Sequence, residues 1–193
     1  MRGKGTDMGQ AKEKEKQYYT VEEWLSWDED VRSELYEGML IMLAQPTQQH
    51  QEVLMEIASQ IHLYLKGKPC KVFPAPFGVK LFKKEDTAFE PDIVVVCDKS
   101  KLDGKICNGA PDMVIEILSP STERMDRVFK YRKYEKAGVR EYWIVDPKHK
   151  YIQAGLLDNG KYAITFYEAE DHVAPVAVLE GCEINLADVF AAE

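Results

Sequence analysis

Pro111-Asp112-Met113-Val114-Ile115-Glu116-Ile117-Leu118-Ser119-Pro120-Ser121-Thr122 decides the fold. Residues 113–118 are apolar apart from Glu116 and read as a buried strand closed by the Ser119-Pro120 turn. Ser121 or Thr122 can cap a helix over 123–137, and Gly138 stands where a left-handed residue ends it. Arg140-Glu141-Tyr142-Trp143-Ile144-Val145 is a second buried strand, ending at Asp146-Pro147. Strand, helix and strand in that order predict an α/β unit, with helices packed on a sheet.

The same reading extends both ways. Upstream, residues 92–97 (Asp-Ile-Val-Val-Val-Cys) form a β-branched run after Pro91, and strands in 71–82 are broken by Pro74 and Pro76. Residues 47–65 repeat apolar side chains at helical spacing until Gly67. Residues 34–43 read as a hairpin near Gly38, and Thr20-Val21-Glu22-Glu23 is a capping box opening a short helix. Downstream, 151–167 is a hairpin turning at Asp158-Asn159-Gly160, and Asn185 caps a final helix. The expected fold class is α/β, an α+β mixed sheet flanked by helices. Residues 1–17, polar and aperiodic, read as a disordered arm before one domain over 18–193.

With 193 residues, 45% of them hydrophobic, the chain can bury a sizeable core. No apolar run is long enough to span a bilayer and no secretory signal precedes the domain, so no membrane partner is expected and the location is taken as cytoplasmic. Cys70, Cys97, Cys107 and Cys182 form no C-x-x-C pair, which counts against a structural zinc site and predicts free thiols. The net charge of −8 counts against nucleic acid as a partner, but basic residues concentrate between 123 and 141. That concentration is compatible with a solvated helix face or with a phosphate-binding one.

Two carboxylates sit where apolar side chains are wanted. Glu116 interrupts a buried strand, and Asp92 opens another. Each has an ordinary reading, a strand-end acid with an arginine partner and a turn aspartate after proline. Together, 24 residues apart on neighbouring strands, they suit a divalent cation, since converging carboxylates repel unless a cation lies between them. Hard oxygen donors favour Mg²⁺, with Mn²⁺ as a substitute. Asp126, Lys130 and Tyr134 share one helix face, as a surface ion pair or as part of a site. Glu34 and His50 are further candidates, with a hairpin-edge acid and a helix-start polar residue as the plainer readings.

Glu34-Leu35-Tyr36-Glu37-Gly38, His50, Pro91-Asp92-Ile93-Val94-Val95-Val96, the stretch 111–122 and Gly138-Val139-Arg140-Glu141-Tyr142-Trp143-Ile144-Val145-Asp146-Pro147 follow in that order. The chain closely resembles the Uma-type restriction endonuclease family, within the PD-(D/E)XK nuclease superfamily. The resemblance runs from about Tyr19 to the C-terminal region. It implies a restriction-endonuclease-like fold, with Asp92 as the Asp of the PD half, Glu116 as the second acid and Glu34 as an additional acid. The lysine that the superfamily places two residues after the second acid is Leu118 here, and the resemblance moves it to Lys130. The implied activity is Mg²⁺-dependent endonucleolytic hydrolysis of nucleic acid, taken as DNA, by a homodimer. Asp92 and Glu116 would hold the metal, Lys130 would act on water or transition state, and Arg124, Arg127 and Lys133 would contact phosphates. The alternative is an inactive DNA-binding or regulatory module on the same fold.

Overall fold

A computed structural model describes residues 18–27 and 32–191; the arm expected over 1–17 lies outside them. In chain order the elements are α1 (Val21–Trp24), β1 (Ser33–Tyr36), β2 (Met39–Met42), α2 (Gln48–Leu65), β3 (Lys71–Pro74), β4 (Val79–Lys80), β5 (Ala88–Phe89), β6 (Ile93–Val96) and β7 (Cys107–Asn108). There follow β8 (Met113–Ile117), a π-helical turn (Met125–Lys130) continuing into α3 (Tyr131–Ala137), and β9 (Glu141–Asp146). The chain ends with β10 (Tyr151–Asp158), β11 (Lys161–Glu168), β12 (Val173–Pro175), β13 (Glu183–Asn185) and α4 (Leu186–Val189).

A six-stranded sheet of order β11-β10-β9-β8-β6-β3 is the centre of the fold. Within it only β8 and β9 run parallel. A crossover between parallel strands needs a helix, and residues 123–137 supply it. The strand period of two then sorts the side chains of β8. Met113, Ile115 and Ile117 pack with Val53, Ile57 and Ile61 of α2 in one core cluster. Val114 lies in the other, with Tyr134 of α3, Tyr142 and Val94. Glu116 shares the parity of Val114 and therefore faces the π turn and α3.

A second sheet, β2-β1-β5-β4-β7, brings Glu34 on β1 toward the same place. The mixed sheets flanked by helices are the α+β architecture read from the sequence. No helix among the described residues is long and apolar enough to cross a membrane.

Two local readings need correction. Residues 123–137 are helical, but six of them form a π turn: the Tyr131 N–H donates to the Asp126 carbonyl five residues back. The cysteines are not all free thiols. Cys70 and Cys97 form a disulfide, while Cys107 and Cys182 are free and buried. The β3–β6 ladder pairs Lys71 with Val96, so the next residues outward, Cys70 and Cys97, stand opposite one another. Cross-strand neighbours are within disulfide reach, and a pairing made by strand register is invisible in cysteine spacing. Breaking it by Cys70→Ser should lower the unfolding free energy by about 3 kcal/mol through the freed loop entropy of the unfolded chain. Denaturant titration of oxidised wild type and variant checks this, and equal midpoints would show that the bond adds no stability.

Candidate active site

Burial of Lys130 organises the site. The π turn widens the helix and lays both Asp126 and Lys130 against the sheet, where they are 1% and 4% exposed. The hydroxyl of Tyr142 on β9 donates to the Asp126 carbonyl and pins this turn from below. The Lys130 ammonium reaches Glu34 Oε1 at 2.8 Å, Glu116 Oε1 at 3.1 Å and Asp126 Oδ1 at 3.4 Å. One α3 turn later, the Tyr134 hydroxyl donates to Glu116 Oε1 at 2.8 Å. The i, i+4, i+8 face that could have been a surface ion pair is a buried one.

Glu34 is held by its own strand pairing and by the backbone. Its Oε1 also accepts the Glu90 N–H at 2.9 Å. Asp92 lies just before β6, with a carboxylate fixed from two sides through Oδ2. The Ile117 N–H donates to it at 2.7 Å, and His50 Nε2 lies 3.1 Å away. His50 occupies that position because Thr47 caps α2 and accepts the His50 N–H, setting the first turn of the helix. His50 is itself 8% exposed, and its buried Nδ1 has no hydrogen-bond partner among the described residues.

Glu34, His50, Asp92, Glu116, Asp126 and Lys130 line one cavity of about 200 Å³, rimmed by Ser119, Pro120, Ser121 and Thr122. Its ionisable lining among the described residues is Glu34, Glu90, Asp92, Glu116 and Asp126 against Lys130, Arg32 and His50. Five acids face two permanent cations. Burial raises Glu116 well above the ordinary carboxylate range; Lys130 opposes that shift, while Asp126, Asp92 and Glu34 add to it. Glu34 and Asp126 are raised too, burial again leading. Burial works against the charge of Lys130, yet Glu116, Glu34 and Asp126 outweigh it and raise the ammonium well above its usual value. These groups titrate together. The direction that follows from both shifts is a charged lysine among carboxylates that share protons.

A buried strand acid is not by itself a site. Glu141 on β9 is 2% exposed, but Trp143 Nε1 at 2.7 Å and the Val178 N–H at 2.8 Å satisfy it. Glu116 also has donors, Lys130 and Tyr134, but unlike Glu141 it faces further carboxylates, those of Asp126, Asp92 and Glu34. The donor set fits a hard divalent cation on the grounds of its excess of carboxylates over cationic side chains and of oxygen chemistry. Among the described residues no three His, Cys, Asp or Glu side chains make a ready cage. Mg²⁺ needs only one or two carboxylates, because it keeps several of its waters.

The basic residues fare differently. Arg127 is held by Glu123 at 2.9 Å, Asp146 at 3.2 Å and the Tyr151 hydroxyl at 2.7 Å. Lys133 is 4% exposed, pairs with Glu37 at 2.7 Å and also binds Glu85. Arg127 and Lys133, two of the three residues expected to contact phosphates, thus hold intramolecular carboxylates here, with Arg127 part-exposed and Lys133 buried. Arg124 is exposed, with its guanidinium 5.8 Å from the Phe129 ring. Arg32 and Glu90, which pair at 3.8 Å across the cavity wall, carried no signal in the sequence. Tyr134 carried one, its spacing from Lys130.

The matching family model is described as "Uma2: Putative restriction endonuclease" and aligns with residues 20–187. A protein of Synechocystis sp., "Uncharacterized protein slr1290", is 26% identical over 158 residues, which cover 79% of this chain and 82% of that one. A crystal structure from Anabaena variabilis, of "a putative nuclease belonging to DUF820", superposes with a TM-score of 0.74 at 22% identity, over 90% of this chain and 98% of that one. This likeness shows the fold.

Proposed function

This chain belongs to the Uma2 restriction endonuclease family, and from that premise we propose that it is a divalent-metal-dependent endonuclease acting on DNA as a homodimer. The observation that carries the reading is the carboxylate-rich cavity beside β6 and β8, which Asp92 and Glu116 both line. Family membership supports a nuclease; the metal, the substrate and the residue roles are our own assignment.

Asp92 and Glu116 would hold Mg²⁺ or Mn²⁺. A cation bound there supplies Lewis acidity at a phosphoryl oxygen and an acidified water. The chain's own groups do the rest. His50 and the Ile117 N–H fix the orientation of Asp92, as partners behind a metal ligand do. Glu34 and Asp126 hold the Lys130 ammonium beside Glu116, where it stabilises negative charge developing on a phosphate. Glu34, the additional acid of the resemblance, therefore acts through Lys130. Tyr134 fixes the other side of Glu116. Arg124, the exposed one of the three expected phosphate contacts, is the first candidate for a backbone phosphate, before Arg127 and Lys133.

The experiment is a cleavage assay on single- and double-stranded DNA and on RNA, with Mg²⁺, Mn²⁺ or EDTA. Cleavage of duplex DNA that needs the metal is expected. Metal binding by calorimetry without cleavage of any substrate would favour the regulatory-module reading instead.

A further inference from the structure

We propose that β11 pairs antiparallel with β11 of a second copy of this chain, joining two six-stranded sheets into one. The interface rests on the homodimer part of the functional reading, and not on the nuclease chemistry.

β11 is the outer strand of the central sheet, and among the described residues only β10 pairs with it. It is 8 residues long, Lys161-Tyr162-Ala163-Ile164-Thr165-Phe166-Tyr167-Glu168. Between its two charged ends there is no charge, proline or glycine, and five of the six residues there are β-branched or aromatic. Such an edge is a template for another strand unless it is covered. The opposite edge shows the contrast: β3 has 4 residues and ends at Pro74. Ile164 is 39% exposed and Phe166 56%, both on the same face of β11.

The hairpin geometry fixes which groups are available. Asn159 and Gly160, with φ of 49° and 79°, make a two-residue turn, and Asp158 pairs with Lys161 beside it. Hydrogen-bonded and non-hydrogen-bonded pairs then alternate along the ladder. The outward N–H and C=O groups therefore belong to Tyr162, Ile164, Phe166 and Glu168.

A two-fold axis perpendicular to the sheet at Thr165 matches these groups between copies. It sets Ile164 of one copy against Phe166 of the other, twice, so that each exposed apolar side chain covers its counterpart. The apolar centre is thereby self-complementary, as a closed two-fold interface requires.

Light scattering of the full chain over a range of concentrations should give about twice 22.1 kDa. The double variant Ile164→Lys/Phe166→Lys should give 22.1 kDa with an unchanged circular dichroism spectrum. Thr165→Cys tests the register without disturbing the edge. Two opposed residues of a non-hydrogen-bonded pair lie about 4.5 Å apart at Cα, within disulfide reach. Mild oxidation should therefore cross-link this variant and not the wild type. A wild type that is monomeric throughout would remove dimer and interface together. A dimer that survives the double variant, or fails to cross-link at position 165, would overturn the β11 interface and leave the dimer standing. Cleavage activity, measured separately, decides the nuclease reading.

Discussion

Lys130→Met is expected to destabilise the protein by about 3–5 kcal/mol, the typical cost of removing one partner from a buried ion pair. Methionine fills a similar volume, so the loss is electrostatic. Without the ammonium, Glu34, Glu116 and Asp126 face each other in a buried cavity with no cation between them. They must then take up protons or open the π turn to water. Urea titration of wild type and variant measures the difference. A further expectation separates this role from catalysis: acidification should restore part of the lost stability, because it neutralises the uncompensated carboxylates. An unchanged denaturation midpoint near neutral pH would show that Lys130 does not hold the carboxylates together.

Glu116→Gln should reduce metal-dependent cleavage by about 10²-fold or more, the scale on which losing one transition-state electrostatic contact is felt. The amide keeps the volume and removes the charge that holds the cation. Stability without metal should move the other way. Glu116 is raised well above its ordinary 4.5, so the folded state binds a proton that the unfolded chain releases above that pH. Folding stability from this group is therefore greatest below about pH 4.5 and falls as pH rises toward the raised value. The glutamine variant lacks that loss. Its melting temperature at neutral pH should equal or exceed that of wild type, and the gap between the two should widen from pH 5 to pH 8. Cleavage as fast as wild type would remove Glu116 from the active site. A collapsed fold would make it a structural partner of Lys130 and Tyr134.

The two variants separate roles that the sequence joins. The resemblance read from the sequence joins Asp92, Glu116 and Lys130 as an expected catalytic set. In the fold, Lys130 also neutralises three acids that burial would otherwise make untenable. Buried ion clusters of this kind add little net stability, since desolvation offsets attraction, but they lose much when one member is removed.

Much of the architecture was legible because it rests on local rules. The β-branched runs of β6 and β8, the periodic apolar face of α2, the left-handed Gly138 and the Asn159-Gly160 turn each follow from side-chain sterics and spacing within a few residues. The sequence by itself also determined that Glu116 would be anomalous, because a carboxylate in an apolar strand costs free energy wherever that strand is buried. Only the tertiary structure decided what answers that anomaly. Strand register brought Cys70 to Cys97, and a π turn unmarked by proline or glycine turned Asp126 and Lys130 inward. Packing of the second sheet delivered Glu34 to the lysine, and carboxylates from distant segments claimed Arg127 and Lys133. The reason is common to all of these. Which charges neutralise each other depends on distances of a few ångströms between residues far apart in the chain, and the electrostatic energy of a buried group is set by those distances and by the water it has lost.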